Sequence, residues 1–217
     1  GYAVKYQKKE EVVFTFIGDG GTSEGDFSEA LNFAGVWQVP VIFTVQNNQY
    51  AISVPVQKQT RSVNLAVKSV AFGIPGIKVD GNDFFAMYLA YQIAVDYARS
   101  GRGAVLIEAL TYRLGAHTTS DDPSKYRNEA EEQLWGKSDP LLRLKRYMQS
   151  AGIRAIDEEQ LREQYREEID RQFADAEQEK SYPLSDLFDH MYTDMPDELR
   201  RQKSEYEQFL SWKEKRR

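Results

Sequence analysis

The sequence predicts an α/β fold in which a parallel sheet carries helices on both faces and is followed by a helical C-terminal region. Two runs, 12–17 and 41–45, are almost continuously apolar, as strands of a covered parallel sheet tend to be. Between them, 28–37 places its apolar residues close to helical spacing. A strand, a crossover helix and a second strand in this order predict two parallel neighbours in one sheet.

Two further strands, 77–79 and 104–109, extend this pattern. The first leads into the turn 80–83, whose aspartates and asparagine suit the start of a helix. We expect that helix to cover 84–99 and to end at the Ser-Gly pair 100–101. Because strands and helices alternate, the sheet is expected to be parallel.

The composition changes after the last predicted strand. We expect a polar loop over 113–127 and helices from there to the end of the sequence. The predicted helices are 139–150, 157–180, 184–192 and 197–215. We therefore divide the chain into an α/β region, 1–127, and a helical region, 128–217. His190 falls within the third of these helices, where we expect it to be structural.

Bulk composition excludes several classes of protein. A chain of 217 residues with 41% hydrophobic residues can form one α/β domain with a helical addition. Its formal charge of −6 argues against nonspecific nucleic-acid binding. No apolar run approaches the length of a membrane span and no secretory leader is visible, so we expect a soluble cytoplasmic protein. Without cysteine there can be no disulfide, thiol catalysis or thiolate metal site.

The ends of the first two strands carry the residues of a predicted metal and diphosphate site. Gly18, Asp19 and Gly20 follow the first strand, and Asn48 follows the second. Parallel strands end at the same edge of a sheet, so we expect Asp19 and Asn48 to converge there. A carboxylate, a carboxamide and a backbone carbonyl from the next loop are oxygen ligands that suit Mg²⁺. Gly20 and Gly21 allow backbone amides to approach a diphosphate.

The motif text supports a resemblance to a known family. The 26 residues between Gly20 and Asn47, with the strings GDGGTSEGDF and VQNNQYAIS, resemble the thiamine-diphosphate fingerprint of thiamine-dependent enzymes. More narrowly, they resemble the alpha subunit of the decarboxylase component of a 2-oxo acid dehydrogenase complex. The resemblance implies the thiamine-diphosphate-binding fold. It also implies a magnesium site formed by Asp19, Asn48 and the Tyr50 carbonyl, with Gly18, Gly20 and Gly21 at the cofactor.

The loop 113–127 carries a second group of candidate residues at the same edge of the sheet. The planar fork of Arg113 can pair with diphosphate oxygens, and His117 can donate a proton to a phosphate or to a reaction intermediate. In the family that the sequence resembles, an arginine and a histidine of this loop contact the diphosphate and the reacting centre. The resemblance therefore implies cofactor binding by Arg113 and a catalytic role for His117.

The resemblance also implies partners. The family's activating glutamate comes from a beta subunit, and Glu24 and Glu29 are better interpreted as residues of the first turns of a helix. We therefore expect a heterotetramer of alpha and beta chains that passes its acyl group to a lipoyl acyltransferase component. The family's alpha subunit has a substantial part before the first motif, so we expect this sequence to be the C-terminal portion of such a subunit.

The substrate is expected to be a small 2-oxo acid, with pyruvate slightly ahead. The opening motif through residue 59 resembles pyruvate-specific subunits of Gram-positive bacteria, whereas 79–83, 117–122 and 195–202 resemble branched-chain types. Acetoin cleavage uses the same architecture and stays open. A noncatalytic nucleotide-binding module is the alternative from another class, although no G-x-G-x-x-G pattern follows the first strand.

Overall fold

The computed structural model describes residues 1–153, 157–178 and 182–216. The chain divides into two compact units, Gly1–Ala155 and Ile156–Arg217. The strands, in chain order, are β1 Val13–Gly18, β2 Val41–Asn47, β3 Tyr50–Ala51, β4 Val54–Pro55, β5 Gly76–Asp80 and β6 Val105–Leu110. The α-helices are α1 Tyr2–Tyr6, α2 Gly25–Trp37, α3 Val56–Gln59, α4 Phe84–Tyr97, α5 Glu129–Gly136, α6 Pro140–Ser150, α7 Glu158–Gln178, α8 Leu184–Phe188 and α9 Asp197–Glu214.

The first unit contains the predicted parallel sheet. Within the described residues, four parallel strands lie in the order β1-β2-β6-β5, and β3 and β4 form a separate antiparallel hairpin. Gly18 is paired with Gln46, and Leu110 with both Asn47 and Asp80. All four strands therefore end at one edge, which confirms the predicted α/β sheet and the shared edge at which its strands end.

The two faces of the sheet support two hydrophobic cores because side chains alternate along each strand. The core on one face contains Phe27, Leu31, Ala34, Val39, Val41, Phe43, Val45, Leu65, Ile74, Ala104 and Leu106. The core on the other face contains Ile42, Ala90, Ala94, Val105 and Ile107. The first core packs α2 against the sheet and the second packs α4, so helices cover both faces as predicted.

The first strand lies at one side of the sheet in the part of the chain that the structure describes. β1 is an edge strand there, and its Phe14 and Phe16 side chains are 44% and 57% exposed. By contrast, every residue of β6 except Leu110 is buried. The apolar character of Phe14 and Phe16 therefore does not reflect burial among the described residues, whereas Val13 and Ile17 pack against the first core.

Most predicted helices are confirmed, with shifts of one to three residues at their ends. Asp83 begins α4, because its Oδ1 accepts hydrogen bonds from the backbone of Phe85 and Ala86. A π-helical turn, Ala98–Arg102, follows α4 and contains Gly101 at φ 77°. The predicted helix 184–192 is wrong beyond Phe188, where α8 ends, and His190 lies in an exposed turn rather than a helix.

The short elements next to the sheet edge were not predicted. They are β3, β4, α3 and the 3₁₀ helices Gly20–Ser23, Ala66–Phe72 and Pro123–Lys125. Elements of two to seven residues are too short to show a hydrophobic period.

The end of the predicted helix 157–180 lies outside the described residues. Helices α5 and α6 belong to the first unit, while the division into regions at residue 127 stays a prediction. Among the described residues, no helix combines the length and apolar composition needed to cross a membrane.

Candidate functional site

Asp19 lies at the end of β1, as predicted, and is almost completely buried. Its side chain is 1% exposed, and its Oδ2 accepts a hydrogen bond of 2.8 Å from Nε2 of Gln59 in α3. The same Nε2 also donates to the Val54 carbonyl at 3.0 Å. Gln59 Oε1 is buried and has no hydrogen-bond partner within the described residues. Gln59 therefore engages one oxygen of Asp19 and leaves an acceptor of its own unsatisfied beside it.

Two glycines allow the segment after Asp19 to approach its neighbours closely. A Cβ on Gly20 would lie 2.6 Å from Cβ of Ala51 in β3, and one on Gly21 would lie 2.5 Å from Cγ1 of Ile17. Neither position tolerates a larger residue without displacement of the surroundings. The absence of a side chain at Gly20 thus brings the segment that follows Asp19 against the hairpin that carries Tyr50.

The turn after β2 is held by the side chains of its two asparagines. Asn47 Oδ1 accepts from the backbone N of Gln49 at 3.2 Å and from its Nε2 at 2.9 Å. Asn48 Oδ1 accepts from the backbone N of Tyr50 at 3.1 Å. Gln49 and Ile52 have φ values of 75° and 54°, in the left-handed region that is unusual for residues other than glycine. These hydrogen bonds stabilise a turn whose conformation would otherwise be unfavourable.

Arg113 lies on this turn. Its Nη1 donates to the Tyr50 carbonyl at 3.2 Å, and its Nη2 donates to the Ile52 carbonyl at 2.6 Å and to the Tyr126 hydroxyl at 2.8 Å. Its Nε is buried without a hydrogen-bond partner in the described part of the chain. The structure therefore brings together Arg113 and Tyr50, two residues that the sequence predicted at one site.

Residues 113–127 form a loop with its own hydrogen-bond network. Asp121 Oδ2 accepts from the backbone N of His117 at 2.8 Å and from the Tyr126 hydroxyl at 2.6 Å. These donors lower the pKa of the Asp121 carboxyl. Arg127 donates to the carbonyls of Arg113, Leu114 and Gly115 and pairs with Glu132. The His117 side chain itself is exposed on this loop, and its catalytic role stays a prediction.

An aromatic cluster packs the hairpin against α5. The Tyr50 ring packs edge-on against Tyr112 at 6.0 Å between centroids, and Tyr112 stacks on Trp135 at 5.5 Å. The Tyr50 hydroxyl donates to Glu131 at 3.3 Å. Burial, together with Glu131, raises the pKa of both Tyr50 and Tyr112. Both phenols are therefore neutral at physiological pH, and the cluster supports the hairpin without adding charge.

Lys68 holds the glycine-rich segment through Thr22. Its Nζ donates to the carbonyl and hydroxyl oxygens of Thr22 at 2.8 and 2.9 Å. Thr22 is buried, and its hydroxyl donates to the Asp19 carbonyl at 2.7 Å. Burial lowers the pKa of Lys68. Lys68 therefore links the 3₁₀ helix Ala66–Phe72 to the segment that follows β1.

The predicted ligands suit a hard cation whose positive charge is partly balanced by a bound anion. The predicted set contains one carboxylate, from Asp19, and neutral oxygens from Asn48 and Tyr50. No cluster of three or more histidine, cysteine, aspartate or glutamate side chains able to hold a metal occurs among the described residues. One carboxylate neutralises half of the charge of a divalent cation, so a bound diphosphate would have to supply the remainder.

Sequence reasoning assigned no role to three polar residues next to the candidate site, Gln59, Asn47 and the buried Glu108 of β6, which accepts a hydrogen bond from Asn47. Glu108 offers the only signal that could have been found, because a charged residue interrupts an apolar strand at 105–110. The contacts of Gln59 depend on α3, which was not predicted, and those of Asn47 depend on Glu108 and on the conformation of the turn at Gln49. The roles proposed for Gly18, Asp19, Asn48 and Tyr50 stay predictions, although the structure places them at one edge of the sheet.

Comparison with known proteins decides the family. The family model described as "Dehydrogenase E1 component" matches residues 1–185, which is most of the chain. The chain belongs to this dehydrogenase E1 component family. Membership confirms the resemblance seen in the sequence.

Individual relatives in this family carry a more specific name. A protein from Acholeplasma laidlawii named "Pyruvate dehydrogenase E1 component subunit alpha" is 47% identical over 211 residues, covering 96% of this chain and 61% of the relative. Proteins of the same name from Staphylococcus aureus and Staphylococcus epidermidis are 42% identical over 209 residues, covering 95% of this chain and 56% of each relative. The chain thus spans about three fifths of the length of the relatives that it matches.

Proposed function

We propose that this chain forms the cofactor-binding part of the alpha subunit of a cytoplasmic pyruvate dehydrogenase E1 component. The observation that carries the proposal is the packing of the segment after Asp19 against the Tyr50 hairpin, through Gly20 and Ala51 and through the Gln59 side chain. The identity of 42–47% to proteins named as pyruvate dehydrogenase alpha subunits favours pyruvate over branched-chain 2-oxo acids.

The site residues fit thiamine diphosphate with Mg²⁺. Asp19, Asn48 and the Tyr50 carbonyl would hold the metal ion, and Gly18, Gly20 and Gly21 would lie at the cofactor. Arg113 would pair with the diphosphate, and the orphaned Oε1 of Gln59 offers an acceptor for a donor bound at the site. When bound, thiamine diphosphate supplies the electron sink for decarboxylation of a 2-oxo acid.

This chain's own residues would orient the cofactor and position a proton donor. Asp19 and Asn48 would hold the metal-bound end of the cofactor at the sheet edge. The exposed position of His117 leaves its ring free to contact a reacting group. The sequence offers no convincing glutamate to activate the cofactor. We therefore place that residue on a beta subunit, in a heterotetramer that delivers the acyl group to a lipoyl acyltransferase.

The proposal is tested with a full-length alpha chain carrying this sequence, assembled with its beta partner. Pyruvate, 2-oxoisovalerate and acetoin are compared by reduction of an artificial electron acceptor in the presence of thiamine diphosphate and Mg²⁺. We expect the highest kcat/KM with pyruvate and no turnover by the isolated 217-residue chain. A pocket that differs by a methylene or two discriminates by roughly 10- to 200-fold per methylene.

Each result has a distinct meaning. A preference for 2-oxoisovalerate or acetoin would show that the substrate assignment is wrong and would leave the proposed architecture unchanged. Binding of nucleotides without binding of thiamine diphosphate would favour the noncatalytic module. Turnover by the isolated chain at the rate of the assembled enzyme would contradict the need for a beta subunit.

A further inference from the structure

Glu108 is a carboxylate buried in the middle of the sheet. It lies in β6 on the face of the first core, and it is 1% exposed. Its Oε1 accepts from Nδ2 of Asn47 at 2.7 Å. Its Oε2 accepts from the backbone N of Leu65 at 2.8 Å and of Ala66 at 2.9 Å. A buried carboxylate is unfavourable unless N–H donors satisfy it, and here donors from two other segments do so.

Glu108 determines which way the Asn47 amide faces. The carboxylate can only accept, so the N–H₂ end of Asn47 must face Glu108 and the carbonyl end must face the turn. That carbonyl oxygen accepts both the backbone N and the Nε2 of Gln49. Gln49 has the positive φ of 75°, so its conformation depends on these hydrogen bonds.

The turn fixed in this way carries two predicted metal ligands. Asn48 and Tyr50 flank Gln49, and the Asn48 carbonyl accepts the backbone N of Arg113 at 3.3 Å. On the basis of the proposed function, we propose that Glu108 is a positioning residue for the cofactor site. It acts through Asn47 to hold the turn in the conformation that presents Asn48 and the Tyr50 carbonyl.

Two single substitutions break this arrangement without changing side-chain size. In Glu108→Gln, an N–H₂ group must face either the Asn47 amide donors or the backbone donors of Leu65 and Ala66. If the Asn47 amide turns round, its donors face those of Gln49 instead. In Asn47→Asp, a second carboxylate faces Glu108 in a buried position. Each change leaves polar groups unsatisfied, which is costly in a core.

The double variant restores every pairing. With both Glu108→Gln and Asn47→Asp, the new amide donates to the new carboxylate, and its oxygen still accepts from Leu65 and Ala66. The new carboxylate still accepts both donors of Gln49. The total charge is the same as in the unmodified chain. A merely space-filling role for Glu108 predicts no such recovery, because the two changes would add.

The experiment uses the full-length alpha chain assembled with its beta partner and two readouts. Amide hydrogen exchange of peptides covering residues 47–52, without cofactor, reports the turn itself. Calorimetric titration with thiamine diphosphate in Mg²⁺ reports the site. We expect each single variant to accelerate exchange and to weaken binding by at least about tenfold. The double variant should return binding to within about threefold of the unmodified protein.

A matched control lies on the other face of the sheet. Thr44 in β2 is equally buried and makes a hydrogen bond of 3.0 Å with the Tyr91 hydroxyl. We expect Thr44→Val to lower stability while exchange at 47–52 and cofactor affinity stay unchanged. If the Thr44 variant alters both readouts in the same way as Glu108→Gln, the effect is general destabilisation and the positioning role is overturned.

The remaining outcomes separate this inference from the proposed function. Unchanged exchange and affinity in Glu108→Gln would overturn the inference, as would a double variant no better than the worse single one. If a single variant does not fold, the double variant decides the matter by its recovery or failure. If the unmodified assembly binds no thiamine diphosphate, the proposed function fails. The exchange readout then still decides whether Glu108 fixes the turn.

Discussion

Asp19→Asn provides the sharpest test of the proposed metal site because it predicts a loss of cofactor affinity in Mg²⁺ and none without Mg²⁺. The substitution preserves the size of the side chain, and its carbonyl oxygen can still accept the hydrogen bond from Gln59. What it removes is the only carboxylate of the predicted ligand set. We therefore expect weaker binding of thiamine diphosphate in Mg²⁺ and no weakening in EDTA, where a carboxylate next to a diphosphate is repulsive.

The burial of Asp19 sets the size of the effect. At 1% exposure the carboxylate is not screened by solvent, and removal of one partner from a buried charge pair costs about 3–5 kcal/mol. At about 1.4 kcal/mol per factor of ten, the lower figure corresponds to a loss of about 100-fold in affinity. An exposed ion pair would instead account for about 1 kcal/mol at most.

The assay is calorimetric titration of the assembled alpha and beta chains with thiamine diphosphate, once with Mg²⁺ and once with EDTA. Asp96→Asn is the matched control, because it removes the same charge from an exposed position on α4. We expect it to leave both dissociation constants unchanged. An equal loss of affinity for Asp19→Asn in Mg²⁺ and in EDTA would refute the ligand role, since it would show damage to the site rather than loss of a metal contact.

Three further predictions concern the surroundings of the site. Gln59→Leu leaves a buried oxygen of Asp19 without its donor and should lower the free energy of unfolding by about 1.5–3 kcal/mol in a denaturant titration, whereas exposed Gln57→Leu on the same helix should not. Arg113→Lys cannot bridge two carbonyls with a planar fork and should weaken thiamine-diphosphate binding by about tenfold in the same calorimetric assay. Asp121→Ala should accelerate proteolytic cleavage within 113–127, and unchanged cleavage would contradict the network. Because donors lower the pKa of Asp121 in the folded protein, these contacts persist at neutral pH and are lost only as pH falls below its ordinary value of 3.8.

The sheet and the edge that carries the candidate site were predictable because strand and helix periods are long-range regularities of the sequence. The order of apolar runs predicted parallel strands, and their shared edge placed Asp19 and Asn48 on one side of the sheet. The exposure of β1 was not predictable, because an apolar strand has the same pattern whether or not this chain covers it. The end of α8 was missed because amphipathic spacing continues past Phe188 although the helix does not.

The turn that forms the site was only half predictable. Asn48 and Tyr50 could be placed by their motif. The residue types of Gln49 and Ile52, however, do not indicate that their φ values are positive. Those values depend on hydrogen bonds from neighbouring side chains rather than on glycine. A conformation maintained by tertiary contacts cannot be derived from local propensity.

Polar residues inside apolar strands identify where such contacts exist without identifying the partner. Thr44 and Glu108 both interrupt buried runs, and because a buried polar group must be satisfied, each predicts a donor or acceptor from another segment. The partners lie 47 residues away for Thr44, and 61 and about 42 residues away for Glu108. Only the fold brings those segments together. Glu108 is the more informative of the two, because a carboxylate cannot donate and so dictates the orientation of the Asn47 amide that faces it.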